Sequence, residues 1–140
     1  MPSHLHEAHL LLFQNQPTLA AQLMRDVLHV SIPSYTEARV VSADLTDIQP
    51  AEYRADMVIQ LFEGVSVFGI VVEVQLSIDE RKRFVWPAYV ANLRAHLECP
   101  VCLLVVTADE RWHAGSRAGS RWVDFISSCP TCLGPRACRK

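Results

Sequence analysis

Apolar and polar positions alternate along this chain with two different periods, and the periods set its elements. Leu5, Ala8, Leu11 and Leu12 recur at helical spacing and predict an amphipathic helix over residues 4–14. Asn15 and Pro17 break it. A second helix is expected from Thr18 to Val27, with Leu19, Leu23 and Val27 on one side and the Pro17-Thr18 pair at its start. Ser31-Ile32-Pro33-Ser34 reads as a loop, residues 38–45 as a first strand, and 47–52, with Pro50, as a turn.

The next stretch, residues 55–75, is the most apolar hairpin in the chain. Strands are expected over roughly 54–62 and 66–75, joined at Glu63-Gly64. Asp56 opens the first, and Glu73 and Gln75 close the second. A strand has period two, so Glu73 and Gln75 point to the same side, at the end of a run apolar enough to be buried. Two acids at the mouth of a buried hairpin need a partner, and a metal cation is the usual one.

Asp79 can cap a following helix that carries Phe84, Trp86, Tyr89, Val90, Leu93 and Leu97. Pro87 inside it is expected to kink or restart it, and Cys99-Pro100 ends it. Phe84, Trp86 and Tyr89 are read as core residues. Residues 101–107 are apolar on both faces, as in a central parallel strand. Thr107 and Glu110 stand at capping-box spacing, so a short helix is expected to follow. Three sequential strands, a helix and a fourth strand describe an α/β domain: a mixed four-stranded sheet flanked by helices.

Composition changes the picture at the C-terminal end. The 140 residues, half of them hydrophobic, suffice for one domain with a substantial core. Residues 1–110 hold fourteen acids and seven bases, a net −7, whereas residues 111–140 hold one acid, Asp124, and six bases, a net +5. An acidic body disfavours strong autonomous nucleic-acid binding, which depends on neutralised phosphates. Residues 111–140, rich in Ser, Gly, Arg and Cys, are expected to be an irregular basic tail appended to a 1–110 domain. A shifted reading frame in GC-rich DNA yields the same composition, in which case the tail's charge has no function. The first thirteen residues lack Lys and Arg and do not read as a signal peptide. The apolar runs are strand-sized, too short for a membrane span. Five cysteines without an export signal point to reduced thiols or metal ligands in the cytoplasm.

The residues with chemistry resemble a known family. His6-Glu7 in the first helix, Ala55-Asp56 opening a strand, Glu73-Val74-Gln75 closing the next and Arg81 to Tyr89 on the following helix resemble the PD-(D/E)XK nuclease superfamily. The closer likeness is to its Rpn-type, transposase-associated branch and to related small actinobacterial proteins. It covers residues 5–107 and implies a restriction-endonuclease-like core. It also implies metal-dependent phosphodiester hydrolysis, with Asp56, Glu73 and the Val74 carbonyl holding magnesium, or manganese in its place. Glu7 matches the extra acid that many members place near the metal. The third signature position, usually Lys, is Gln75, which can hold a water but brings no positive charge. Of only two lysines, Lys82 is the candidate for a migrated one, with Arg81 and Arg83 beside it.

Cys99-x-x-Cys102 and Cys129-x-x-Cys132 have the form of a four-thiolate zinc site. It is discounted because Cys102 begins a buried strand with no glycine after it to form a knuckle. Cys138 is unassigned. The expected function is therefore a magnesium-dependent DNA endonuclease, with Asp56, Glu73, Gln75 and Lys82 catalytic and DNA bound weakly or with a partner's help. The alternatives are a catalytically silent module of the same fold, pairing with another protein or a second copy, and a zinc-stabilised nucleic-acid-binding protein.

Overall fold

The computed structural model describes residues 3–41, 55–77, 79–107 and 123–127. Helices α1 (His4–Asn15) and α2 (Thr18–Asp26) come first, followed by strands β1 (Glu37–Val41), β2 (Met57–Glu63) and β3 (Val65–Gln75). Helix α3 (Lys82–Leu97) then leads to β4 (Val101–Thr107) and β5 (Val123–Ser127). Spatial order follows chain order, β1-β2-β3-β4-β5. Only β3 and β4 are parallel, with α3 as their crossover; the other neighbours run antiparallel. The fold is α/β, and the expected mixed four-stranded sheet is present as β1–β4.

The fifth strand comes from the stretch expected to be irregular. Without it β4, apolar on both faces, would carry a bare edge of unpaired backbone groups. Val123–Ser127 covers that edge, with Cys102 opposite Ser127 and Val106 opposite Val123. The end of the expected first strand, residues 42–45, and the whole expected turn at 47–52 lie outside the described residues, as does the short helix expected after Thr107.

The β2–β3 hairpin is tighter than a two-residue turn. Glu63 pairs directly with Val65, and Gly64 between them takes φ +73°, where a Cβ would be strained. The register then shifts between Leu61 and Phe62, a bulge that absorbs one residue of β3.

Period-two alternation sorts the strands' side chains into two cores. Met57, Ile59, Leu61, Phe68, Ile70, Val72 and Val74, with Leu104 and Val106, form the core beneath α1 and α2. Val58, Val71, Val101, Leu103 and Val105 form the other, beneath Trp86, Tyr89, Val90 and Leu93 of α3. Each buried side chain of this size contributes about 1.5–3 kcal/mol. All seven residues of β4 are buried, as a central strand requires.

The helices lie differently from their sequence patterns in three respects. In α1 the stripe Leu5, Leu11 and Leu12 faces outward, and Phe13 and Leu10 face the sheet. The largest apolar side chain thus decides the rotation, with Leu10 one turn and His6 two turns before Phe13 on the same row. In α2 the fully buried residues are Ala20, Ala21 and Met24 rather than Leu19 and Leu23, which pack at the margin. In α3 Pro87 neither ends nor restarts the helix, which runs unbroken over sixteen residues. Its C-cap, Glu98, turns the chain with φ 52°. The N-cap of α3 is Arg81, without a side-chain cap bond, and Asp79 stands two residues before it: its Oδ1 accepts the Arg81 N–H at 3.0 Å and its carbonyl accepts the Lys82 N–H at 3.1 Å. No helix among the described residues is long and apolar enough to cross a membrane.

Candidate functional site at the carboxyl end of β3

The parallel pair β3–β4 has its carboxyl ends at one edge of the domain, and β2, antiparallel to β3, begins there. Ligands of open α/β sheets bind at this end. Asp56 precedes β2, and Glu73 and Gln75 close β3, so three of the residues singled out in the sequence meet here. Helix α3 starts just beyond and adds the fourth, Lys82.

Glu73 shares the α3 side of the sheet with Val71, by strand alternation. It has no solvent exposure, in a strand otherwise apolar at its centre. Lys82 Nζ lies 3.4 Å from its Oε2, and Gln75 Nε2 donates to the same oxygen at 3.3 Å. Its other oxygen, Oε1, is buried and finds no hydrogen-bond partner among the described residues. Burial pushes the Glu73 carboxyl up to about 7, and the negative charge of Asp56 adds to the rise; Lys82 and Gln75 pull against it.

Asp56 is tied to two elements. Its Oδ2 accepts the Val74 N–H at 2.9 Å and His6 Nε2 at 3.2 Å. An ionised carboxylate only accepts, so Nε2 of His6 carries that proton. Both bonds fall on Oδ2, which leaves Oδ1 for another ligand. The N–H and C=O of one extended residue point to the same side of its strand. The Val74 carbonyl therefore lies on Asp56's side, past the last β2–β3 pair, Met57 with Val72. The Val74 side chain itself is core.

Glu7 differs from its expected place. It is exposed on α1, and its neighbour His6 takes the position beside Asp56. The row His6, Leu10, Phe13 was the signal: a histidine on the same helix face as the buried phenylalanine points at the sheet. His6 Nδ1 is itself buried without a partner among the described residues. Phe84, expected in the core, is instead 85% exposed, whereas Trp86 and Tyr89 are buried. Arg81 projects into solvent with Asp79 4.0 Å away. The side chain of Arg83 lies outside the described part.

The oxygens at this strand end are few. No group of three or more His, Cys, Asp or Glu side chains that could hold a metal ion is found among the described residues. Two carboxylates and a carbonyl remain. That set suits a hard cation that keeps most of its own waters, as magnesium does, better than one that needs four protein ligands. The unpartnered Oε1 of Glu73 and the mutual repulsion of Glu73 and Asp56 fit such a cation. Cys99 and Cys102 are both buried and in no disulfide. Cys99 Sγ lies 3.4 Å from Ser66 Oγ, and Cys102 sits in the core beneath α1 and α2. Cys129, Cys132 and Cys138 lie outside the described residues. No protein-family model, curated protein or solved structure matches the chain.

Proposed function

We propose that this chain is a magnesium-dependent phosphodiesterase acting on DNA, with a restriction-endonuclease-like core of the PD-(D/E)XK kind. One observation carries the reading: a fully buried glutamate, Glu73, keeps one oxygen unpartnered at the strand end where Asp56 also stands. A buried carboxylate oxygen left without a partner is costly even where Lys82 pairs with the other oxygen, and an arrangement that retains one has a use for it.

Asp56, Glu73 and the Val74 carbonyl would hold the cation. When bound, magnesium offsets charge on the phosphate and lowers the pKa of a coordinated water. The chain's own residues supply the rest. Gln75 holds the attacking water by an amide that donates and accepts. Lys82 carries a positive charge within reach of Glu73, the role the family's usual third-position lysine fills. His6 and the Val74 N–H keep Asp56 in one orientation.

Nicking of supercoiled plasmid with magnesium or manganese tests this. The expected result is cation-dependent cleavage that is lost in both Asp56→Ala and Glu73→Ala. No cleavage, together with thermal stability unchanged by either cation, would sink the metal site. The second reading is a catalytically silent module of the same fold, which the net −7 of residues 1–110 favours. It expects cation-induced stabilisation without cleavage.

A further inference from the structure

Helix α3 buries one face against the sheet and leaves a regular seam on the other. Arg81, Phe84, Ala88, Ala91, Ala95 and Glu98 are all exposed. Their spacing is 3-4-3-4-3, that of the a and d positions of a coiled coil. On a helix these six fall within one narrow stripe. Phe84 at 85% exposure is the most exposed large hydrophobic residue of the described chain. Leaving an aromatic ring in water forgoes the stabilisation that its burial would bring.

We infer that the outer face of α3 is an interface with a second copy of this chain, formed by antiparallel pairing of the two α3 helices. The seam is its own complement when reversed. With the two-fold axis between Tyr89 and Val90, Phe84 of one copy meets Ala95 of the other, and Ala88 meets Ala91. Arg81 meets Glu98. A large residue thus opposes a small one, small residues stand where the helices come closest, and a cation opposes an anion at each end. A self-complementary patch of this kind is what a two-fold dimer interface requires. The Arg81 side chain is 93% exposed, and Asp79 at 4.0 Å holds it loosely, so it is free to turn toward a partner.

Other surfaces fit less well. The outward stripe on α1, Leu5, Leu11 and Leu12, is apolar but has no charged pair to set a register. A single-stranded nucleic acid could stack on Phe84, yet the three alanines beneath it offer such a ligand nothing. The paired seam extends about 26 Å. Two phenylalanines supply about 300–500 Å² of contact, a large part of the roughly 1,000 Å² that a specific interface needs. Lys82 lies off the seam, so pairing leaves the β3 strand end open.

The test is sedimentation equilibrium of the full chain over a concentration range reaching hundreds of micromolar. A monomer–dimer equilibrium is expected. Phe84→Ser, at an exposed position and checked for folding by circular dichroism, weakens it by roughly thirty-fold or more, as for an aromatic anchor. Arg81→Glu and Glu98→Arg each weaken it by about tenfold, and the double variant Arg81→Glu/Glu98→Arg restores it. That rescue is specific to the antiparallel register. The inference is overturned by a chain that stays monomeric throughout. A dimer indifferent to Phe84→Ser, or one abolished by Leu12→Glu on α1, overturns it too. So does a Phe84→Ser effect seen only as lost binding of a single-stranded oligonucleotide.

Discussion

Lys82 Nζ lies 3.4 Å from Oε2 of Glu73, a carboxylate with no solvent exposure. The two come from different elements, the first residue of α3 and the third-last residue of β3. Lys82 is itself about a quarter exposed, so the cation reaches in from solvent to a buried anion. The pair ties the start of the helix to the end of the strand.

Removing that cation should matter only when Glu73 is charged. Lys82→Met is expected to destabilise the fold by about 1–2 kcal/mol at pH 8, less than for a fully buried pair because Lys82 is partly solvated. Near pH 5, with Glu73 protonated, the cost should be small. Urea denaturation of both proteins at the two pH values measures this. An equal loss at both would mean that Lys82 acts through packing alone.

The raised Glu73 carboxyl makes a prediction of its own about pH. Its folded-state value, about 7, exceeds the ordinary 4.5. The folded protein therefore binds more protons than the unfolded chain between those values, and its stability falls as pH rises through that window. The whole contribution is on the order of 3 kcal/mol. Glu73→Gln should flatten the slope between about pH 4.5 and 7. Magnesium, if it binds here, should reverse it, since it favours the ionised form. Tm against pH, with and without the cation, reads both effects.

His6 holds Asp56 at 3.2 Å from the far side of the sheet end. Partners that orient a metal-binding carboxylate typically change metal affinity or activity by about 10–100-fold when removed. His6→Ala should lower magnesium-induced stabilisation and plasmid cleavage by amounts in that range. The fold itself should lose only about 1 kcal/mol, the net worth of one hydrogen bond. Glu7→Ala, at an exposed position on the same helix, should leave all three nearly unchanged. The reverse ranking would return Glu7 to the site.

Gly69 tests how α3 sits on the sheet. A Cβ there would lie 3.1 Å from Leu97 Cδ1 and 3.1 Å from Val101 Cγ2. Both neighbours are side-chain ends that can yield a little, so Gly69→Ala should cost about 1–2 kcal/mol and still fold. Gly69→Val should cost clearly more. Chemical denaturation ranks the two.

Much of this is legible in the sequence. The apolar runs placed β2, β3 and β4 to within a few residues, because strands buried on both faces leave few alternatives in sequence. Asp56, Glu73 and Gln75 were legible as strand-end polar residues for the same reason: a charge at the edge of an apolar run is conspicuous. Lys82 was singled out as one of only two lysines, and the structure sets it against Glu73. The helices were harder. The outward turn of Leu5, Leu11 and Leu12 and the exposure of Phe84 follow from which large residues each helix commits to the core, Phe13 in α1 and Trp86 with Tyr89 in α3. A helical pattern with apolar residues on two sides does not say which side wins. Strand β5 is not legible in the sequence, because its five residues lie within a Ser/Gly/Arg-rich stretch and their place is set by pairing with the open edge of β4.

Sequence by itself determined the order of elements, the parity that puts Glu73 and Gln75 on one side, and the acids at the hairpin's open end. These are local properties, set by a period of two and by where apolar runs stop. Tertiary structure alone decided that α1 brings His6 rather than Glu7 to Asp56, that Lys82 reaches Glu73, and that Glu73 is buried deeply enough to hold its proton near neutrality. Each of those depends on distances between segments far apart in the chain, which packing sets and local pattern does not.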